Sequence, residues 1–382
     1  MPSLIKHKRV EFTELFYDLV FVYAISKTTA LIHHLHHGVL TWSSIWAFLL
    51  ALLILVNSWM IQTVFTNRYG KNSLFNILIM FTNMGILLFI SNMITNDWEG
   101  YFATFCWAVG SLTLTLFLQY LAEYSKKSHS PEAKDSMRSF LVMTGLRTLA
   151  LYIAALMPMS IGVPIYAIGI IGTFVMPLIF TKGNPNFGVN MPHLIERVSL
   201  LVIITFGEMI MGIANFFTPE NFTFNSVFFF LMMAAMFLYY FGQFDHAIDE
   251  TADAKGLFLI YSHYPIFIGL IMTTVSMSFL MEHEANHLFV VAFLYVGLFL
   301  FQWAVLANSK FNKDYLRLSR NYYLVEAGFF LAGLILSLIF AANFNLVIII
   351  TTVMLIAIQL HFAFFYTSQS RKHKGNANWD LI

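Results

Sequence analysis

Three carboxylates, Glu11, Glu14 and Asp18, fall within the stretch EFTELFYDLVF at spacings of three and four. On a helix of 3.6 residues per turn they project from one face, one above the other. In an apolar run, such a stripe can hold a proton or a cation, or pair with a buried basic side chain. Two more carboxylates, Glu208 and Glu326, lie deep in other apolar runs, and Arg147 and Lys27 are the cations found within runs. Lys27 is nine residues after Asp18, half a turn off its face, and its stem is long enough to reach outward to the interface. A charged side chain in the middle of a membrane helix costs on the order of 2.5–3.5 kcal/mol on insertion scales, so it turns toward the bundle interior or a wet cavity. The stripe therefore predicts an inward Asp18 with Glu14 below it toward the cytoplasmic mouth, and Phe16, Val20, Tyr23 and Lys27 facing out.

Phe16-Tyr17-Asp18-Leu19-Val20-Phe21 is echoed by Phe206-Gly207-Glu208-Met209-Ile210-Met211, which places Asp18 within reach of Glu208 if the two segments pack together. Two close carboxylates cannot both ionise cheaply, so one of them is expected to hold a proton. The chemistry this suggests is proton or cation coupling, with Glu14, Asp18, Glu208, Arg147 and Glu326 as the pathway residues.

Other chemistry is thinly represented. His283-Glu284-Ala285-Asn286-His287 matches the zinc-hydrolase pattern H-E-x-x-H, but it falls in a short connection and no third ligand motif follows. With His33-His34-Leu35-His36-His37 it reads as a group of loop histidines, and no metal or cofactor is expected. His263 and His361 read as hydrogen-bonded residues within the bundle. No glycine-rich phosphate loop or basic nucleic-acid surface is present, and no enzymatic constellation stands out. The single cysteine, Cys106, rules out an intrachain disulfide.

The elements that must position these residues are membrane helices. The chain is 59% hydrophobic and 11% charged, well below the roughly one quarter charged of soluble domains, so membrane lipid is its surroundings. Twelve runs are long enough to cross about 30 Å of hydrocarbon, near 12–33, 42–65, 72–94, 100–122, 140–159, 161–180, 196–217, 224–246, 257–280, 286–308, 321–343 and 344–367. The short connections at 157–161 and 343–345 leave open a kinked segment in place of two spans. Apart from Lys27 and Arg147, the basic residues fall on one side of this layout. Lys6, Lys8 and Arg9 precede the first run; Arg68 and Lys71 follow the second; Lys126, Lys127, Lys134 and Arg138 follow the fourth. Lys182 and Arg197 follow the sixth, Lys255 the eighth, Lys310 through Arg320 the tenth, and Arg371, Lys372 and Lys374 the last. By the positive-inside rule both termini are cytoplasmic. The long connections after the fourth and tenth runs suggest a 6+6 parallel repeat, with halves 1–180 and 181–382. The fold class is thus an all-α integral membrane protein.

In these motifs the chain resembles the bacterial low temperature requirement protein A (LtrA) family. Glu14, Leu15, Phe16, Asp18, Leu19, Val20 and Phe21 match its opening helix. His193, Glu196, Arg197, Gly207 and Glu208 match its second signature. The resemblance implies a multi-pass bacterial inner-membrane protein linked to growth in the cold, and it supplies no reaction. A weaker similarity is to two-repeat potassium channels of endolysosomes, which also place Phe-x-Asp on the first helix of each half. The function expected is a proton- or cation-coupled secondary transporter of a small solute. The alternatives are a non-transporting protein supporting envelope or lipid adaptation to cold, or a cation channel.

Overall fold

The computed structural model describes residues 8–95, 98–180, 188–251 and 256–374. Lys6, Lys182 and Lys255, used above in reading the connections, lie outside the described residues. Twelve α-helices are present among those described: α1 (Phe12–Ala30), α2 (Trp42–Tyr69), α3 (Leu74–Asn92), α4 (Trp98–Tyr124), α5 (Pro131–Leu156), α6 (Met159–Phe180), α7 (Met191–Ala214), α8 (Phe224–Phe241), α9 (Leu257–Phe279), α10 (His287–Ala307), α11 (Arg320–Ile339) and α12 (Phe344–Lys374). Eleven of them are long and apolar enough to cross a membrane, which makes the chain a multi-pass membrane protein. The exception is α1, which carries Glu14, Asp18 and Lys27 within 19 residues. The short connections at 157–161 and 343–345 separate distinct helices, α5 from α6 and α11 from α12.

The described residues fall into two compact units. Those within Met1–His34, Thr41–Ile204 and Asp253–Tyr261 form one, and those within Leu35–Leu40, Thr205–Ala252 and Ser262–Ile382 form the other. In the first unit α1 packs on α3, α3 on α4, α4 on α5 and α5 on α6. Its aromatic core joins Phe65 and Tyr69 of α2 to Tyr120 of α4 and Phe140 of α5. The Tyr120 and Phe140 rings stack at 5.0 Å, and Phe65 meets Tyr120 edge-on at 4.8 Å. The sole cysteine, Cys106, is fully buried on α4. In the second unit α12 packs on α8 and α11, and α11 on α10. Here α9 and α10 approach closely at glycine: a Cβ on Gly269 would stand 2.5 Å from the Gly297 carbonyl oxygen and 2.6 Å from the Phe301 nitrogen.

Helix α1 has two faces. Glu14, Asp18, Phe21, Ile25 and Thr28, at alternating spacings of four and three, are buried. Phe12, Phe16, Leu19 and Tyr23 are exposed, as suits a face turned to lipid. The outward face differs from the sequence reading at Val20, which is buried because the exposed stripe is centred on the Leu19 side. Lys27 extends over the Tyr23 ring, 5.3 Å from its centroid. Helix α2 is divided likewise. Ile61, Phe65 and Tyr69 enter the aromatic core, while Trp59, Thr63, Thr66 and Asn67 are buried on another side.

The largest departure from the sequence expectation is the start of α7. A run near 196–217 was expected, with Arg197 at its very start and counted with the basic residues that follow the sixth run. The helix begins at Met191 instead, and Arg197 lies inside it, fully buried. Asn190 accounts for the early start: its Oδ1 accepts from the His193 backbone N–H at 3.2 Å, an N-cap bond. Pro192 then sits in the first turn, where its missing N–H leaves no helical bond unmade. Hydropathy alone starts the helix later because Pro192 and His193 dilute its first turn.

Candidate functional site

The first unit contains a buried charge cluster built by α1, α2 and α7. Asn67 near the end of α2 fixes the start of α7. Its Oδ1 accepts from the Asn190 backbone N–H at 2.9 Å, and its Nδ2 donates to the Asn190 carbonyl at 2.8 Å. This pairing determines which way the amide points, so the second Nδ2 proton is the one that faces His193 Nδ1, 3.0 Å away. His193 Nδ1 is therefore an acceptor, and in the neutral ring the proton resides on Nε2. Nε2 lies 3.3 Å from Glu14 Oε2.

One turn further along α7, the Arg197 guanidinium bridges the two carboxylates of α1. Nη1 donates to Glu14 Oε2, and Nη2 donates to Asp18 Oδ1 at 2.7 Å. Thr63 Oγ1 stands 3.5 Å from Nη2. Trp59 serves the cluster twice. Its Nε1–H donates to Asp18 Oδ1 at 2.7 Å, and its ring lies 5.3 Å from the guanidinium carbon. Glu14, Asp18, His193, Arg197 and Trp59 are all buried. Arginine suits this place because its planar fork meets two acceptors at once and stacks on an aromatic face.

The two carboxylates are not equivalent. Glu14 is approached by Arg197 and His193, and it lines a small cavity of about 50 Å³ together with Lys8, Glu11, Thr66 and Asn72. Lys8 Nζ donates to the Thr66 carbonyl and, at 2.9 Å, to the Gly70 carbonyl. An ammonium there compensates the negative end of the α2 dipole. Burial holds the Lys8 ammonium below the usual lysine range, and the nearby Glu14 charge opposes that shift. Asp18 has its charged partner on Oδ1 only, and its Oδ2 is buried without a hydrogen bond. Lys8 lies on the Glu14 side and Arg197 bridges both carboxylates through Glu14 Oε2 and Asp18 Oδ1, which leaves Asp18 Oδ2 as the bare atom.

The remaining sequence candidates lie as follows. The α7 residue bonded to Asp18 is Arg197. Glu208 is buried on α7 within the second unit, and a Cβ on neighbouring Gly207 would meet nothing within 4 Å. Glu196 is half-buried in the second turn of α7. The Phe16 ring lies 5.8 Å from Phe81 on the exposed side of α1. Arg147 is buried in the first unit, donating to Asn57 Oδ1 at 2.7 Å, with Asn57 also accepting from Thr173 Oγ1 at 3.0 Å. Glu326 is buried in the second unit beside Gln302 and His361. His283 and Glu284 precede α10 and His287 begins it, so the H-E-x-x-H residues do not share a helix face. Among the described residues no group of three His, Cys, Asp or Glu side chains gathers as metal ligands.

Sequence reasoning missed Trp59, Thr63, Asn67 and Asn190. A signal for three of them was available: the polar and aromatic positions 59, 63 and 67 recur every four residues within the otherwise apolar α2. No curated protein matches the chain. The family model described as bacterial low temperature requirement A protein (LtrA) matches residues 9–359, a stretch that contains every member of the cluster except Lys8. The chain belongs to the LtrA family.

Proposed function

We propose that this chain is a proton- or cation-coupled secondary transporter in the bacterial inner membrane, and that the Glu14–Asp18–Arg197–His193 cluster is its coupling site. The observation that carries this reading is the bare carboxylate oxygen of Asp18. Arg197 and Trp59 hold Oδ1, and Oδ2 is buried without a hydrogen bond, so it can take a proton or a small monovalent cation. Loading would weaken the hold of Asp18 on Arg197, and α1 and α7 carry the two halves of that contact. Coupling of ion binding to helix movement requires such a differential contact. The small solute carried is set elsewhere, and the family's association with low temperature suggests that its transport supports growth in the cold.

The test is proton or solute flux in proteoliposomes with an internal pH dye. Asp18→Asn keeps the side chain's size and removes its charge, and it should abolish ion-dependent flux while leaving the protein folded. Equal flux in wild type and D18N rules out the coupling role.

A second reading is favoured by the way Arg197 is shared between two carboxylates: the cluster locks α1 to α7 in a non-transporting protein that supports the envelope in the cold. That reading expects D18N and E14Q to lose thermal stability and growth together. Melting curves in detergent separate it from the first, in which activity is lost from a stably folded protein.

A further inference from the structure

The second unit holds a buried carboxylate that the proposed coupling site does not use. Glu326 on α11 is fully buried, and other helices supply its partners. Gln302 Nε2 on α10 donates to Oε2 at 2.9 Å, and the Tyr239 hydroxyl on α8 lies 3.5 Å from the same oxygen. His361 Nδ1 on α12 is 2.9 Å from Oε1. Tyr322, one turn before Glu326, stacks on the His361 ring with centroids 4.4 Å apart, and Phe329 meets the same ring edge-on at 6.2 Å. The titratable groups turned toward Glu326 are thus Tyr239 from α8, Tyr322 from α11 and His361 from α12, while α10 presents neutral Gln302. Among the described residues, His361 is its one ion-pair partner.

A buried carboxylate with a single imidazole beside it has two forms of equal net charge. One is the carboxylate with an imidazolium, in which Nδ1–H donates to Oε1. The other is the carboxylic acid with a neutral imidazole, in which Oε1–H donates a hydrogen bond to Nδ1. Interchange moves one proton along a 2.9 Å line and leaves no isolated ion in the interior, the arrangement that would be costly. Gln302 fits both forms. The mobile proton lies between Oε1 and Nδ1, so Nε2 donates to Oε2 in each form.

Access differs between the two ends. The His361 side chain is 25% exposed and that of Glu326 is 0% exposed, so the imidazole is the end that exchanges. Position along the helices gives the side. Glu326 is six residues after Arg320, about 9 Å along α11. His361 is seventeen residues beyond Phe344, about 26 Å along α12 and ten residues before Arg371. Both lie toward the basic ends of their helices.

We propose that Glu326 and His361 form a second proton-binding site, loaded through the imidazole from the side of the membrane that carries Arg320 and Arg371. It stands on its own observations and survives if the Asp18 reading fails. The experiment is infrared difference spectroscopy of the full chain in detergent, between acid and alkaline pH. The wild type should show a carboxylic-acid carbonyl band that titrates, and Glu326→Gln, which keeps the side chain's size, should lose that band alone. His361→Gln removes the only basic partner among the described residues, so the band should persist to higher pH than in wild type. The proposal is overturned if the pH-difference spectra of wild type and E326Q are the same. It is equally overturned if H361Q titrates as wild type does. Should H361Q fail to fold, the comparison of wild type with E326Q still decides.

Discussion

Removing the Arg197 guanidinium leaves two buried carboxylates facing each other with no cation between them. Breaking a buried pair in this way costs about 3–5 kcal/mol, much of it from the charges left behind. Arg197→Met should therefore lower the melting temperature severely. The triple change Glu14→Gln, Asp18→Asn and Arg197→Met should recover much of the loss, because no buried charge is then stranded. Thermal unfolding of the two variants in the same detergent checks this, and a triple variant no more stable than R197M would show that the cost lies in packing around the guanidinium. Trp59→Phe is a gentler probe. It keeps a ring over Arg197 and removes the N–H bonded to Asp18. A hydrogen bond to a charged group contributes about 1.5–3 kcal/mol, and a loss in that range is the expected result. The same change leaves Asp18 with Arg197 as its remaining partner, so any ion-dependent flux should shift in its pH dependence.

At the scale of helices, what the sequence revealed and what it hid have separate physical causes. Membrane helices were legible because a lipid interior demands long apolar runs, and the twelve runs correspond one to one with α1–α12. The inward turn of α1 was legible for the same reason, since carboxylates on a lipid face are too costly. The partner of Asp18 was hidden. Arg197 was counted with the connections because the start of α7 is fixed by Asn190 and Asn67, two residues 123 positions apart whose pairing of side chain with backbone no local pattern announces. Asn67→Leu tests that fixing. It unmakes the bonds to Asn190 and His193, and leaving those buried groups unpaired costs about 1–3 kcal/mol each. The variant should be destabilised, and protease digestion should find the start of α7 newly accessible. In the second unit the close passage of α9 over α10 rests on glycine, as small residues permit close packing in membranes. Gly269→Val would drive side-chain atoms into the Gly297 carbonyl, and overpacking of this kind costs about 1–3 kcal/mol or more. A melting temperature unchanged in G269V would mean that the two helices part without penalty.

For the whole molecule, the distribution of basic residues makes a prediction about orientation. Reporter fusions after residue 374 and before residue 8 should both report the cytoplasm, because the positive-inside rule assigns Arg68, Lys71, Arg138, Lys310 and Arg320 to the same side as the two ends. A fusion in the connection between α1 and α2 should report the opposite side. The one thiol in the chain gives a way to study this protein before its solute is known. Cys106 is wholly enclosed on α4, so a membrane-permeant maleimide can reach it only when that part of the first unit opens. Where reclosing is faster than the reagent, the labelling rate follows the population of the open form. Any compound that binds the closed form lowers that population by mass action and slows labelling in proportion to its occupancy. A collection of solutes can therefore be screened on unmodified protein by a single mass measurement, with the protein's own cysteine marking which of them it recognises.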